Sequence, residues 1–66
     1  MKVRFDEQAD AFYIRLDDAR IEESDEVSPG FTLDFDADNR VIGIELSQVL
    51  ARLPTVRLKQ MQFEVA

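Results

Sequence analysis

Three stretches of this chain alternate large apolar and polar residues with a period of two. That spacing belongs to strands with one face turned to a core, because a helix needs apolar residues three and four apart. Phe31, Leu33 and Phe35 alternate with Thr32, Asp34 and Asp36. Ile42, Ile44 and Leu46 alternate with Val41, Gly43 and Glu45, and the turn Asp36–Arg40 joins these two runs. Phe12, Ile14 and Leu16 alternate with Ala11, Tyr13 and Arg15, preceded by Val3 and Phe5 across a polar turn. Two hairpins are therefore predicted, about 2–16 and 31–46, in a single antiparallel sheet.

The rest is less regular. Asp17 to Glu26 is acidic, with Ile21 its only large apolar residue, and shows no core-facing pattern. Ser28-Pro29-Gly30 marks a turn or bulge, since proline presets φ and glycine permits φ > 0. Gly43 marks a bulge or the close approach of another group. Ser47 reads as an N-cap, and a short helix is predicted over about 47–53, stopped by Pro54. Met61, Phe63 and Val65 suggest a last strand at about 61–65, although Leu58, Met61 and Val65 also fit helical spacing. Residues 54–66 are thus left as strand, helix or exchanged arm. The expected fold is one α+β domain over 1–66. Its core should comprise Val3, Phe5, Phe12, Ile14, Leu16, Phe31, Leu33, Phe35, Ile42, Ile44, Leu46, Leu50 and Leu53.

Sixty-six residues bury little core, and small domains usually need a disulfide, a metal or a partner chain. The chain has no cysteine and no histidine. Disulfides, thiolate zinc and cysteine nucleophiles are excluded, along with the commonest metal ligand and general base. Ser24, Ser28 and Ser47 have no histidine to activate them, and two glycines make no phosphate loop. No catalytic residue and no cofactor is assigned, and the chain reads as a non-enzymatic protein. The segment Met1–Asp6 does not read as a signal peptide, and no apolar run nears the ~18 residues of a membrane span. A cytoplasmic protein without a membrane partner is expected.

A partner chain is then the expected support. Tyr13 and Val41 stand on the face opposite the main apolar rows by simple alternation, and one short helix covers little of a four-stranded face. A homodimer is expected, with Tyr13, Arg15, Val41, Met61 and Phe63 as interface candidates. The net charge of −6 is uneven. Residues 1–26 carry nine acids against four bases, whereas residues 52–66 carry Arg52, Arg57 and Lys59 against Glu64. Three cations in a tail are too few for a nucleic-acid surface. An acidic body would suit a small basic protein partner.

The sharpest local pattern is Asp34 to Glu45, whose acids Asp34, Asp36, Asp38 and Glu45 fall at positions 1, 3, 5 and 12 of a calcium-loop spacing. Asn39 occupies the position that calls for glycine, and the flanks alternate as strands where the calcium motif has helices. The alternative to an interaction module is therefore a small-ligand or Ca²⁺-binding hairpin over 34–45. The competing reading is an acidic hairpin with Asp and Asn serving the turn.

The order Phe5-Asp6-Glu7-Gln8-Ala9-Asp10-Ala11-Phe12-Tyr13-Ile14-Arg15-Leu16 carries a resemblance. Glu26-Val27-Ser28-Pro29-Gly30, the following Asp34-Phe35-Asp36 hairpin and Val41-Ile42-Gly43-Ile44-Glu45-Leu46 extend it. Over roughly residues 1–53 the chain resembles the small prokaryotic family catalogued as domain of unknown function 2283. The resemblance implies a compact α+β domain and carries no catalytic residue. Such families are often encoded beside small toxin-like proteins, so an antitoxin-like role is implied by analogy.

Overall fold

The computed structural model describes all of residues 1–66. Five strands form one antiparallel sheet: β1 (Lys2–Asp6), β2 (Ala11–Arg15), β3 (Glu23–Ser28), β4 (Phe31–Phe35) and β5 (Val41–Ser47). Their spatial order is β1-β2-β5-β4-β3, which puts β5 in the middle with one hairpin on each side. A single helical turn, α1 (Val49–Arg52), follows β5. The molecule is mostly sheet with one very short helix, which fits the α+β class in outline.

The pairing register builds the apolar face as rows across the sheet. One row runs Val3, Ile14, Ile44, Leu33, Asp25, and the next runs Phe5, Phe12, Leu46, Phe31, Ser28. The opposite face carries Arg4, Tyr13, Glu45 and Thr32 in one row and Lys2, Arg15, Gly43, Asp34 and Ser24 in another.

Four features correct the sequence reading. The segment before Ser28 is a strand, and a two-residue Pro29–Gly30 turn joins it to β4 with Gly30 at φ 78°. Residues 61–66 form no strand and lie exposed. Ser47 is the last residue of β5 and caps nothing, its hydroxyl lying 3.3 Å from the Gly30 carbonyl. The helix instead begins after Gln48, whose φ of 55° turns the chain out of the strand. Finally, Val41 pairs with Phe35 and so stands on the apolar side. A bulge beside Asp34 and Phe35 inserts one residue in β5, which shifts the alternation by one position.

The N-terminus of α1 is closed from a distance. The Asp10 carboxylate accepts from the backbone N–H groups of Leu50 (2.9 Å) and Ala51 (3.3 Å), and its carbonyl accepts from Val49 N–H (3.0 Å). The turn between β1 and β2 thereby ties α1 to the sheet end, a task that Ser47 would perform in a self-capped helix. Asp10→Ala should cost about 0.5–2 kcal/mol, the usual loss of a cap. Urea melts of parent and variant test this, and equal midpoints would refute it.

Burial does not follow the alternation. Only Ile42 and Val49 are buried apolar residues, each 3% exposed. Every residue of β2 and of β4 is half-buried, on both faces alike. Among the expected core residues, Val3, Leu16, Leu50 and Leu53 are exposed and the others, apart from Ile42, are half-buried. A strand in a covered sheet alternates between buried and solvated positions. Uniform half-burial means a single layer with nothing packed across most of its apolar face.

The dimensions agree. The radius of gyration is 12.8 Å, against about 10.8 Å for a compact domain of this length. The chain exposes 5436 Å², whereas a compact monomer of its mass would expose about 4,300 Å². No helix is long and apolar enough to cross a membrane.

Candidate functional site

The two faces of the sheet offer different chemistry. On the polar face a hydrogen-bonded chain crosses three strands. The Tyr13 hydroxyl donates to Asp34 Oδ2 at 2.7 Å, and the Ser24 hydroxyl donates to Asp34 Oδ1 at 2.6 Å. β5 lies between Tyr13 and Asp34, and they meet above it at Gly43. A Cβ built on Gly43 would sit 2.5 Å from the Tyr13 hydroxyl oxygen and 2.7 Å from Asp34 Oδ2. Gly43 does not adopt a positive φ, so the glycine is there for space. Burial raises the Tyr13 pKa first, and the hydrogen bond to Asp34 raises it further. The phenol is held protonated as a donor, which is the opposite of an activated nucleophile.

Arg15, next to this chain, is used locally. Its guanidinium donates to the carbonyls of Asp17 (2.6 Å) and Ala19 (2.5 Å) and fixes the corner after β2.

The acidic hairpin is a turn built on Asp36. Its Oδ1 accepts from the N–H groups of Asp38 and Arg40, both at 2.9 Å, and its Oδ2 accepts from Arg40 Nε at 2.9 Å. Asn39 takes φ 61°, the left-handed geometry that asparagine tolerates. The four acids of the calcium spacing do not gather. Asp34 is bonded to Tyr13 and Ser24, Asp36 to its own turn, and Asp38 lies 3.5 Å from Arg40. Glu45 is exposed in the row of Tyr13 and Thr32. No group of three or more acids is placed to hold a metal ion.

The backbone N–H of Arg40 is the main cause that lowers the Asp36 pKa. Burial opposes it, and the Arg40 guanidinium and the Asp38 N–H add to it. A depressed carboxylate stabilises the fold above its unfolded value of about 3.9 and loses that contribution as pH falls through the folded value. Asp36→Asn should therefore melt several degrees below the parent at pH 7, and the gap should close below about pH 4. Thermal melts across that range measure it, and a gap independent of pH would count against the assignment.

The other face is apolar and open. Ile14, Ile44, Leu33, Phe12, Leu46 and Phe31 fill two adjoining rows, all half-exposed. Val41 stands on this side at 37% exposure, while Met61 and Phe63 in the C-terminal segment are 58% and 77% exposed. Of the residues singled out for contact, Tyr13 and Arg15 lie on the polar face, with their hydrogen-bonding groups engaged within the chain. Beside β1, an open recess of about 750 Å³ lies between Phe5, Glu7, Leu50 and residues 56–60.

The charges sort by edge. β1 carries Lys2 and Arg4, while β3 and the residue before it carry Glu22, Glu23, Asp25 and Glu26. Glu23 pairs with Phe35 and Asp25 with Leu33, so both carboxylates stand on the apolar side of their edge. Lys2, Arg4, Glu23, Asp25 and Glu26 form no ion pair within the chain.

The family model described as a protein of unknown function, DUF2283, matches residues 2–49. The chain belongs to that family. The matched DUF2283 region spans all five strands and ends at the first residue of α1, so the family feature is the sheet itself. The segment from Leu50 onward lies outside it. No match was found among curated proteins or among solved structures.

Proposed function

We propose that this DUF2283 protein is a non-enzymatic protein–protein interaction module that acts as a homodimer through the apolar face of its sheet. The observation that carries this reading is the uniform half-burial of β2 and β4 despite their strict alternation. A face patterned for a core, yet not covered by its own chain, is completed by another copy.

The excess exposed area supports the same reading. The chain exposes about 1,100 Å² more than a compact monomer of its mass. A standard interface buries about 800 Å² on each partner. Burying that much largely apolar surface would contribute roughly 20 kcal/mol per protomer before the costs of association. The polar face supports a non-catalytic role, because its one buried network holds a protonated phenol and a carboxylate whose two oxygens are both bonded.

A fold completed by dimerisation has a concentration-dependent midpoint. Raising the chain from about 1 to about 100 μM should raise Tm by several degrees. A Tm unchanged over that range would contradict the reading.

A further inference from the structure

Resting on that dimer, we infer its symmetry: two sheets pack face to face about a two-fold axis parallel to the strands, over Ile44 and Leu46 of β5. β1 of each copy then lies against β3 of the other.

Two in-plane two-folds would bury the same apolar face. An axis along the strands exchanges the two edges of the sheet. It sets Ile44 on Ile44, Ile14 on Leu33, and Val3 on Asp25 of the second copy. An axis across the strands keeps each edge on its own side and sets β3 against β3. Charge decides between them. The β3 edge holds Glu22, Glu23, Asp25 and Glu26 with no basic residue, so the second arrangement brings two acidic edges together. Glu23 and Asp25 stand on the apolar side and would face like charges across about 10 Å.

The strand-parallel axis removes that conflict. It brings Lys2, Arg4 and the N-terminal amine of one copy over Glu23 and Asp25 of the other. These are groups of opposite sign that find no ion pair at home. It also sets both copies of α1 at one end, where Leu50 and Leu53 are 42% and 49% exposed and extend the apolar contact. The inward acids of β3 meanwhile guard that edge against pairing with another strand, so the contact is made by the face.

Charge reversal tests the axis. Arg4 and Asp25 lie on edges four strand spacings apart, about 19 Å, well beyond the ~8 Å screening length at physiological salt. They can compensate each other only between chains. Arg4→Glu and Asp25→Lys should each weaken the dimer about tenfold or more. The double variant should return to within about threefold of the parent, read by sedimentation equilibrium at physiological salt. Both sites are exposed, and circular dichroism checks that each variant folds. A dimer that Asp25→Lys tightens would overturn the strand-parallel axis in favour of the other one. Single variants without effect, or a double variant no better than the singles, would also overturn it. A parent chain that stays monomeric would overturn the dimer itself, so the two failures are distinguishable.

Discussion

Ile44→Lys should run as a monomer at concentrations where the parent chain is a dimer. Ile44 lies on the central strand, in the row Val3, Ile14, Ile44, Leu33, Asp25, and is only half-buried by its own chain. In a dimer it meets its own copy, so one substitution brings two ammonium groups into an apolar contact without a counterion. Breaking an interface with an unpaired buried charge costs several kcal/mol. The dissociation constant should rise at least about 100-fold, equivalent to about 2.8 kcal/mol. Thr32→Lys is the matched control: it lies on β4 in the row of Tyr13 and Glu45, on the polar face, and should change dimerisation less than about threefold. Sedimentation velocity on both variants reads the difference. If Ile44→Lys stays dimeric, the apolar face is not the interface. If Thr32→Lys dissociates the dimer instead, the polar face is.

The second large effect falls on the polar face. Gly43→Val should destabilise the fold by about 1–3 kcal/mol through overpacking, and by about 1–3 kcal/mol more if Asp34 and Tyr13 are driven apart. The added Cβ would fall 2.5 Å from the Tyr13 hydroxyl oxygen, and removing that oxygen makes room on one side. Gly43→Ala should therefore cost less in a Tyr13→Phe background than in the parent. Denaturant melts of the four chains give the coupling, expected at about 0.5–3 kcal/mol. Strict additivity would mean that Gly43 is kept for another reason. The same hydrogen bond gives an alkaline signature. A tyrosine with a raised pKa stabilises the fold fully below its unfolded value near 10 and loses that contribution as pH rises through the folded value. The parent chain should lose stability above about pH 10 more steeply than Tyr13→Phe.

The two apolar hairpins were legible because alternation reports directly which face of a strand is meant for a core. β3 carries no such report. Its apolar-side positions are Glu23 and Asp25, and an acidic strand at a sheet edge looks like a loop. A sharper signal was nevertheless present. Pro29-Gly30 fits a two-residue hairpin turn, and such a turn before Phe31 requires a partner strand just upstream. Val41 was placed on the wrong face because a bulge adds one residue to β5, and periodicity has no means of counting it. The helix cap failed for a different reason. Ser47 has the right chemistry, but Asp10, 40 residues before Leu50, already occupies the helix end.

Much the same division applies to the candidate site. Tyr13 stood out as a lone aromatic among polar neighbours. Its partners Asp34 and Ser24 did not, because they meet only when β5 is threaded between β2 and β4 with a glycine at the crossing. The calcium spacing of Asp34, Asp36, Asp38 and Glu45 follows from a hairpin with acids on its polar face. On two antiparallel strands those positions spread along the sheet where a helix-flanked loop would gather them. The shortage of core was legible from length alone. Its location was not, because the one helix is a single turn and the tail beyond it leaves Met61, Phe63 and Val65 exposed.

The mass of the protein in solution tests the central claim most directly. Sedimentation equilibrium of the parent chain at micromolar concentration should give twice the chain mass of 7.6 kDa. A single species at the monomer mass, across the whole micromolar range, would contradict the completion of this sheet by a second copy.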